Sequence, residues 1–150
     1  MTRNAHDAYL ESRILSAEPV ELIRLMYQAC NAAVRDARHY LSTGEIAERS
    51  KSISKACEIL LELAASLDHE RGGEVSVQLA RLYSYMQRRL IEANFRKSDE
   101  PMAEVLGLLM TMTEAWEGVK AQLAPAAPVA NAWMPMTQEA GAGSSNAWSF

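Results

Sequence analysis

The stretch that decides the fold is 105-VLGLLMTMTEAWEGVKAQL-123, in which Val105, Leu109, Met112, Trp116, Val119 and Leu123 recur at steps of four and three residues without a slip. That spacing keeps all six side chains on one face of a helix and is the seam of a left-handed helical bundle. Pro125 stops the helix, and Pro101 sits in its first turn, where a missing N–H costs nothing; Ser98 or Asp99 is placed to cap it.

Three more breaker-free stretches lie upstream. In the first, Ile23, Tyr27, Cys30, Val34, Ala37 and Leu41 share one face, with Pro19 at its start and Gly44 just past its end. The second repeats Ile46, Ile53, Leu60 and Leu67 every seven residues, filled in by Ala56, Cys57, Leu63 and Ala64, and Gly72 and Gly73 are expected to end it. A third, from about Glu74 to Lys97, turns Val75, Leu79, Leu82, Met86, Leu90 and Ala93 inward. Helices of about 24 residues are roughly 36 Å long, and short connections force each to double back on the last. The expected fold is all-α, an antiparallel up-down-up-down four-helix bundle over residues 18–123, with an N-terminal segment (1–17) packed on it and an Ala/Pro/Gly/Ser-rich flexible tail (124–150).

Composition narrows the function. With 49% hydrophobic and 23% charged residues the chain is an ordinary globular domain. A net charge of −4 and a pI near 5.4 argue against a nucleic-acid binder, which needs a basic stripe to displace counterions. Met1 to Arg13 carry no apolar run readable as a signal peptide, and no segment has the roughly 18 apolar residues of a membrane span, so a cytoplasmic protein with reduced Cys30 and Cys57 is expected. Both cysteines fit apolar helix stripes as small hydrophobes, a disulfide being the minor alternative.

Chemistry is not in evidence. A di-iron bundle requires paired Glu-x-x-His motifs, and none occurs; Asp36 and His39 resemble a ligand pair only as a solvated turn does. His6, His39 and His69 are not spaced to share a metal, and neither a nucleophile elbow nor a phosphate-cradling glycine loop is present. The expectation is a protein that is not an enzyme and takes no cofactor.

A closed bundle leaves apolar residues over. Leu22, Leu25, Ile59, Tyr85, Ile91, Met102, Leu106 and Met110 exceed what one seam requires. Two readings fit: a wide core stripe with scattered surface apolars, or a groove for a partner's helix, which methionine suits by adapting its shape. In the tail, Trp133, Met134, Met136, Trp148 and Phe150 are sticky residues beside a single charge, Glu139. Plain disorder and transient docking in the chain's own groove both fit that composition.

The third helix reads Tyr83-Ser-Tyr85-Met86-Gln-Arg88-Arg89-Leu90-Ile91-Glu92-Ala93-Asn94, which resembles the signature of the flagellar secretion chaperone family FliS. The resemblance extends through Ala8-Tyr9, Pro19-x-Glu21-Leu22, Leu25-Met26-Tyr27, Ser66-Leu67-Asp68, Gly72-Gly73-Glu74, Glu104-Val105-x-Gly107-Leu108-Leu109 and Ala115-Trp116, covering roughly residues 4 to 122. Departures are His6 where Tyr is common, Glu18 before Pro19 in place of Ser or Thr, and Gln28-Ala29 in place of an acidic residue or Asn followed by Gly.

What the resemblance implies is a cytoplasmic chaperone that binds the C-terminal helical segment of flagellin, prevents its premature polymerisation and aids its delivery to a component of the flagellar type III export gate. It implies client contact by Tyr9, Leu10, Ile53, Leu60, Leu79, Tyr83, Met86, Leu90, Asn94, Leu106 and Met110, with the segment around Tyr9 covering part of the groove until flagellin displaces it. Tyr83, Met86 and Leu90 fit the core equally well, and Arg88 with Glu92 fits a plain surface ion pair. The rival to the flagellin chaperone is a regulatory adaptor that binds an anti-sigma factor or translational regulator through the same apolar surface.

Overall fold

The computed structural model describes Ala5 and residues 19–122, with side chains from 21 to 118. Tyr9, Leu10, the rest of the N-terminal segment, Leu123 and the tail lie outside the described residues. The described chain is all-helical: α1 (Pro19–Thr43), α2 (Ile46–Ala65), α3 (His69–Arg96) and α4 (Glu100–Gln122). Each helix packs on its neighbours in a ring, α1 on α2 and α4, and α3 on α2 and α4. Short links leave no alternative to antiparallel neighbours, and the result is a four-helix bundle.

The predicted stripes form the core. Ile23, Tyr27, Cys30, Val34 and Ala37 from α1, Ile53, Ala56, Leu60 and Leu63 from α2, Tyr83, Met86, Leu90 and Ala93 from α3, and Val105, Leu109 and Trp116 from α4 are all buried together. Tyr27 and Tyr83 reach across the diagonal, their hydroxyl oxygens 2.8 Å apart, so each buried hydroxyl has a partner. Burial, then the neighbouring Tyr83, drives the Tyr27 hydroxyl's pKa far above its usual range. Cys30 is buried and Cys57 half-buried, both free. Burial pushes the Cys30 thiol up to about 12, so it stays protonated and unreactive.

Two boundaries differ from the expectation. α2 ends at Ala65, not at the glycine pair, because Asp68 starts a new helix. Its carboxylate accepts from the N–H groups of Glu70 and Arg71 at 3.1 Å each, while its carbonyl accepts from Gly72 N at 2.8 Å and from Ser76 Oγ at 2.9 Å. Gly72 and Gly73 therefore fall inside α3, where Gly73 kinks the chain at φ 52°, ψ −125°, a region that only glycine adopts without strain. The regular part of α3 resumes at Glu74, where the periodicity begins. Asp68→Ala removes the cap and is expected to cost about 1–2 kcal/mol, read as a lower midpoint in urea.

The heptad reading also misplaces Ile46, which is 57% exposed because it is the first residue of α2 and overhangs the end of the core. Asp99 stands just before α4, its carbonyl accepting from Ala103 N at 2.9 Å, while its carboxylate accepts from Arg38 Nε at 2.6 Å and so ties α4 to α1. Arg88 does not pair with Glu92 but donates to Ser84 Oγ at 3.0 Å. The ion-pairing residue is its neighbour: Arg89 reaches Glu92 at 3.1 Å, Glu100 at 3.2 Å and Glu104 at 2.5 Å, and Tyr85 donates to the same Glu104 carboxylate at 2.8 Å. A rotation of about 100° makes the difference, since Arg89 faces α4 and Arg88 is exposed.

The Arg89 and Tyr85 hydrogen bonds hold Glu104 below its ordinary pKa of 4.5, and the Arg38 bond holds Asp99 below 3.8. A carboxylate depressed in the folded state contributes stability that is complete above its unfolded pKa and is lost as pH falls through its folded one. The melting temperature is therefore expected to drop as pH is lowered below about 5, and Glu104→Gln to flatten part of that drop in thermal melts across the acid range.

A candidate partner-binding face on helices two and three

The sequence-predicted contact residues divide sharply in the structure. Ile53, Leu60, Tyr83, Met86 and Leu90 are between 0% and 4% exposed and are core in this closed form. Leu79 and Leu106 are half-buried against that core. Met110 stands 49% exposed. Asn94 is half-buried and already engaged: Arg49 Nε donates to its Oδ1 at 2.8 Å, and its own amide donates to Ser50 Oγ at 3.3 Å. Among the surplus apolars, Leu25 and Met102 are core, whereas Ile91 is 59% exposed.

The residues left outside form a pattern. Among the described residues, the exposed large hydrophobics are Ile46, Leu61, Val77, Ile91, Phe95 and Met110. All but Met110 belong to α2 and α3. On α3 the outward stripe runs Val77, Arg81, Ser84, Arg88, Ile91, Phe95 at alternating steps of four and three, opposite the inward Met86 and Leu90.

Helix pairing fixes how that stripe meets α2. Gln87 donates to the Cys57 carbonyl at 3.1 Å and Asn94 to Ser50, so the two antiparallel helices are in register at those points. On α2, Leu61 is one turn beyond Cys57, and on α3, Ile91 is one turn beyond Gln87; because the helices are antiparallel, the two lie on opposite sides of that contact along the bundle axis. Ser50, Cys57, Gln87 and Asn94 lie along the seam between the two helices. Ile46 and Phe95, the latter 86% exposed, stand at the end of the bundle where α2 starts and α3 finishes.

Scattered apolar residues on a surface are normal, and what sets these apart is that five of the six exposed ones lie on two adjoining helices. Among the described residues no cluster of His, Cys, Asp and Glu is placed to hold a metal ion, and no helix is long and apolar enough to cross a membrane. What the arrangement can do is cover the apolar stripe of another helix. Sequence reasoning missed Leu61 and Phe95, although the step of four from Ile91 to Phe95 and of four from Cys57 to Leu61 was present in the sequence. The signal was hidden because an apolar residue beside a heptad stripe reads as part of it.

Over 111 residues the chain is 40% identical to the flagellar secretion chaperone FliS of Salmonella typhimurium, covering 73% of this chain and 82% of that one. It is 36% identical over 110 residues to the flagellar secretion chaperone FliSB of Pseudomonas aeruginosa, covering 73% and 87%. It is 30% identical over 115 residues to FliS of Bacillus subtilis, covering 77% and 85%. Residues 1–123 match the family described as flagellar protein FliS, and the chain belongs to that family.

Proposed function

We propose that this protein is a cytoplasmic, non-enzymatic export chaperone that binds the C-terminal helical segment of flagellin, keeps it from polymerising early and aids its delivery to the flagellar type III export apparatus. The observation that carries this reading is the apolar face of α2 and α3, with Leu61 61%, Ile91 59% and Phe95 86% exposed on a bundle whose core is already complete without them. A filament subunit whose terminal helices pair with other subunits exposes apolar stripes when alone, and such stripes associate prematurely. A face of fixed helices bearing unspent apolar side chains covers a stripe of that kind. A client that orders on binding loses entropy in doing so, which keeps the complex reversible enough to release its cargo.

The decisive experiment is co-expression with the C-terminal segment of flagellin from the same organism, followed by size-exclusion chromatography. A soluble complex that co-elutes supports the reading. Separate elution, with the flagellin segment aggregated as it is when expressed alone, overturns it.

A further inference from the structure

Among the described residues, Arg49 is the one buried base, 4% exposed and one turn into α2. Its guanidinium has only neutral partners: Nε donates to Asn94 Oδ1 at 2.8 Å and Nη2 to the Asn94 carbonyl at 3.5 Å. Asp68, the other buried charged residue, has Arg71 at 3.9 Å, whereas Arg49 forms no ion pair among the described residues. A charge taken out of water is costly unless an opposite charge meets it.

The end of α3 compensates part of that cost. Asn94 lies in the last turn of α3, where the carbonyls form the negative end of the helix dipole and favour a cation. That contact uses Nε and Nη2. A guanidinium carries five N–H donors in one plane, and Nη1 has no partner among the described residues. Nor is Nη1 sealed in. The sole buried side-chain nitrogen or oxygen without a hydrogen bond among the described residues is Asn31 Oδ1, so the tip of Arg49 reaches solvent. A charged fork fixed at one edge and open at its tip is suited to a carboxylate.

The surroundings indicate what carries that carboxylate. Asn94 is bonded to both Arg49 and Ser50, so these residues stand at one level along the bundle axis. Exposed Ile46 precedes Arg49 by three residues, and exposed Ile91 precedes Asn94 by three. Because α2 and α3 run antiparallel, the two isoleucines lie on opposite sides of that level, each about 4.5 Å away along the axis. Phe95, the most exposed of the apolar residues, is next to Asn94. A partner helix that covers both isoleucines passes the level of Arg49 in its middle, so the carboxylate there belongs to a side chain and not to a chain end.

We propose that Arg49 receives a side-chain carboxylate of the client, an Asp or Glu with an apolar residue about one turn to either side of it. This rests on the reading of the protein as a chaperone for the C-terminal segment of flagellin and adds what on that segment is recognised. Apolar contact alone accepts many amphipathic helices. A nearly buried cation rejects those that place an apolar or basic residue beside it, because its charge then stays unmatched.

The test titrates the full chain calorimetrically with the flagellin C-terminal segment, each Asp and Glu of which is replaced in turn by Asn or Gln. A further sample of the segment is amidated at its C-terminus. One acidic replacement is expected to weaken binding to the wild-type chain about tenfold and to have no effect on binding to Arg49→Met, whose folding is checked by circular dichroism. A second measurement needs no variant of the chaperone: in the wild-type chain labelled with 15N-arginine, the Arg49 Nε signal is expected to shift at saturation with the unmodified segment and not with that replaced one. A segment that binds but has no acidic position coupled to Arg49, and leaves the Arg49 signal in place, overturns the proposal while the chaperone reading stands. Loss of affinity on amidation alone, abolished in Arg49→Met, assigns the site to a C-terminal carboxylate and overturns it as well. A segment that fails to bind the wild-type chain overturns the chaperone reading, and this inference with it.

Discussion

Leu60→Ala is expected to lower the stability of the bundle by about 2–5 kcal/mol, a fall in melting temperature on the order of 10 °C or more for a domain of this size. Leu60 is 0% exposed and sits in the cluster that joins all four helices, so its truncation removes buried area and leaves a cavity that rigid neighbours cannot close. Thermal and urea unfolding followed by circular dichroism measure the loss. The same variant, kept well below its melting temperature, is expected to bind a flagellin C-terminal peptide with unchanged affinity, because Leu60 has no surface to offer. An unaltered melting temperature, or a loss of affinity in the folded variant, would contradict the assignment of Leu60 to the closed core.

Phe95→Asp is expected to do the reverse. The side chain is 86% exposed near the end of α3, so its replacement changes stability by no more than about 0.5 kcal/mol. If the face of α2 and α3 carries the client, burying a carboxylate where an aromatic anchor docked is expected to weaken binding about tenfold or more. Calorimetric titration with the flagellin peptide measures this, and Ala103→Asp, exposed in the first turn of α4 and off this face, controls for one added negative charge. Equal affinities for wild type and Phe95→Asp would remove Phe95 from the contact surface. The two variants together separate core from contact, which Leu60 and Phe95 exemplify at opposite extremes of burial.

That separation is where reading the sequence reached its limit. Tyr83, Met86 and Leu90 carry the family signature, and as letters they suit either a core or a partner. The stripe itself was legible: on α1 the four-and-three spacing of Ile23, Tyr27, Cys30, Val34 and Ala37 predicts inward residues that are all buried. Phe95 was not legible as an exposed residue, since nothing local distinguishes an outward phenylalanine from an inward one at a neighbouring register. Arg88 and Arg89 show the same limit. Adjacent arginines differ by 100° of helix rotation, and only the position of α4 decides that Arg89 meets Glu92, Glu100 and Glu104 while Arg88 meets Ser84.

The boundary at Asp68 was within reach of the sequence. Asp followed by Glu70 in a first helical turn is a start signal, but the adjacent glycine pair is a stronger stop signal and drew the boundary downstream. The capping bonds and the burial of Ser76 against the Asp68 carbonyl overrode it.

The sequence by itself determined the fold class, the number of helices, most of the inward face of each and the family, because helical periodicity and breaker positions are local properties and the signature residues are contiguous. Only the tertiary structure decided which apolar residues remain outside, and that the two helices carrying most of them are packed neighbours. Exposure is a property of a residue's neighbours in space, and those come from other helices whose rotation and register no single segment encodes.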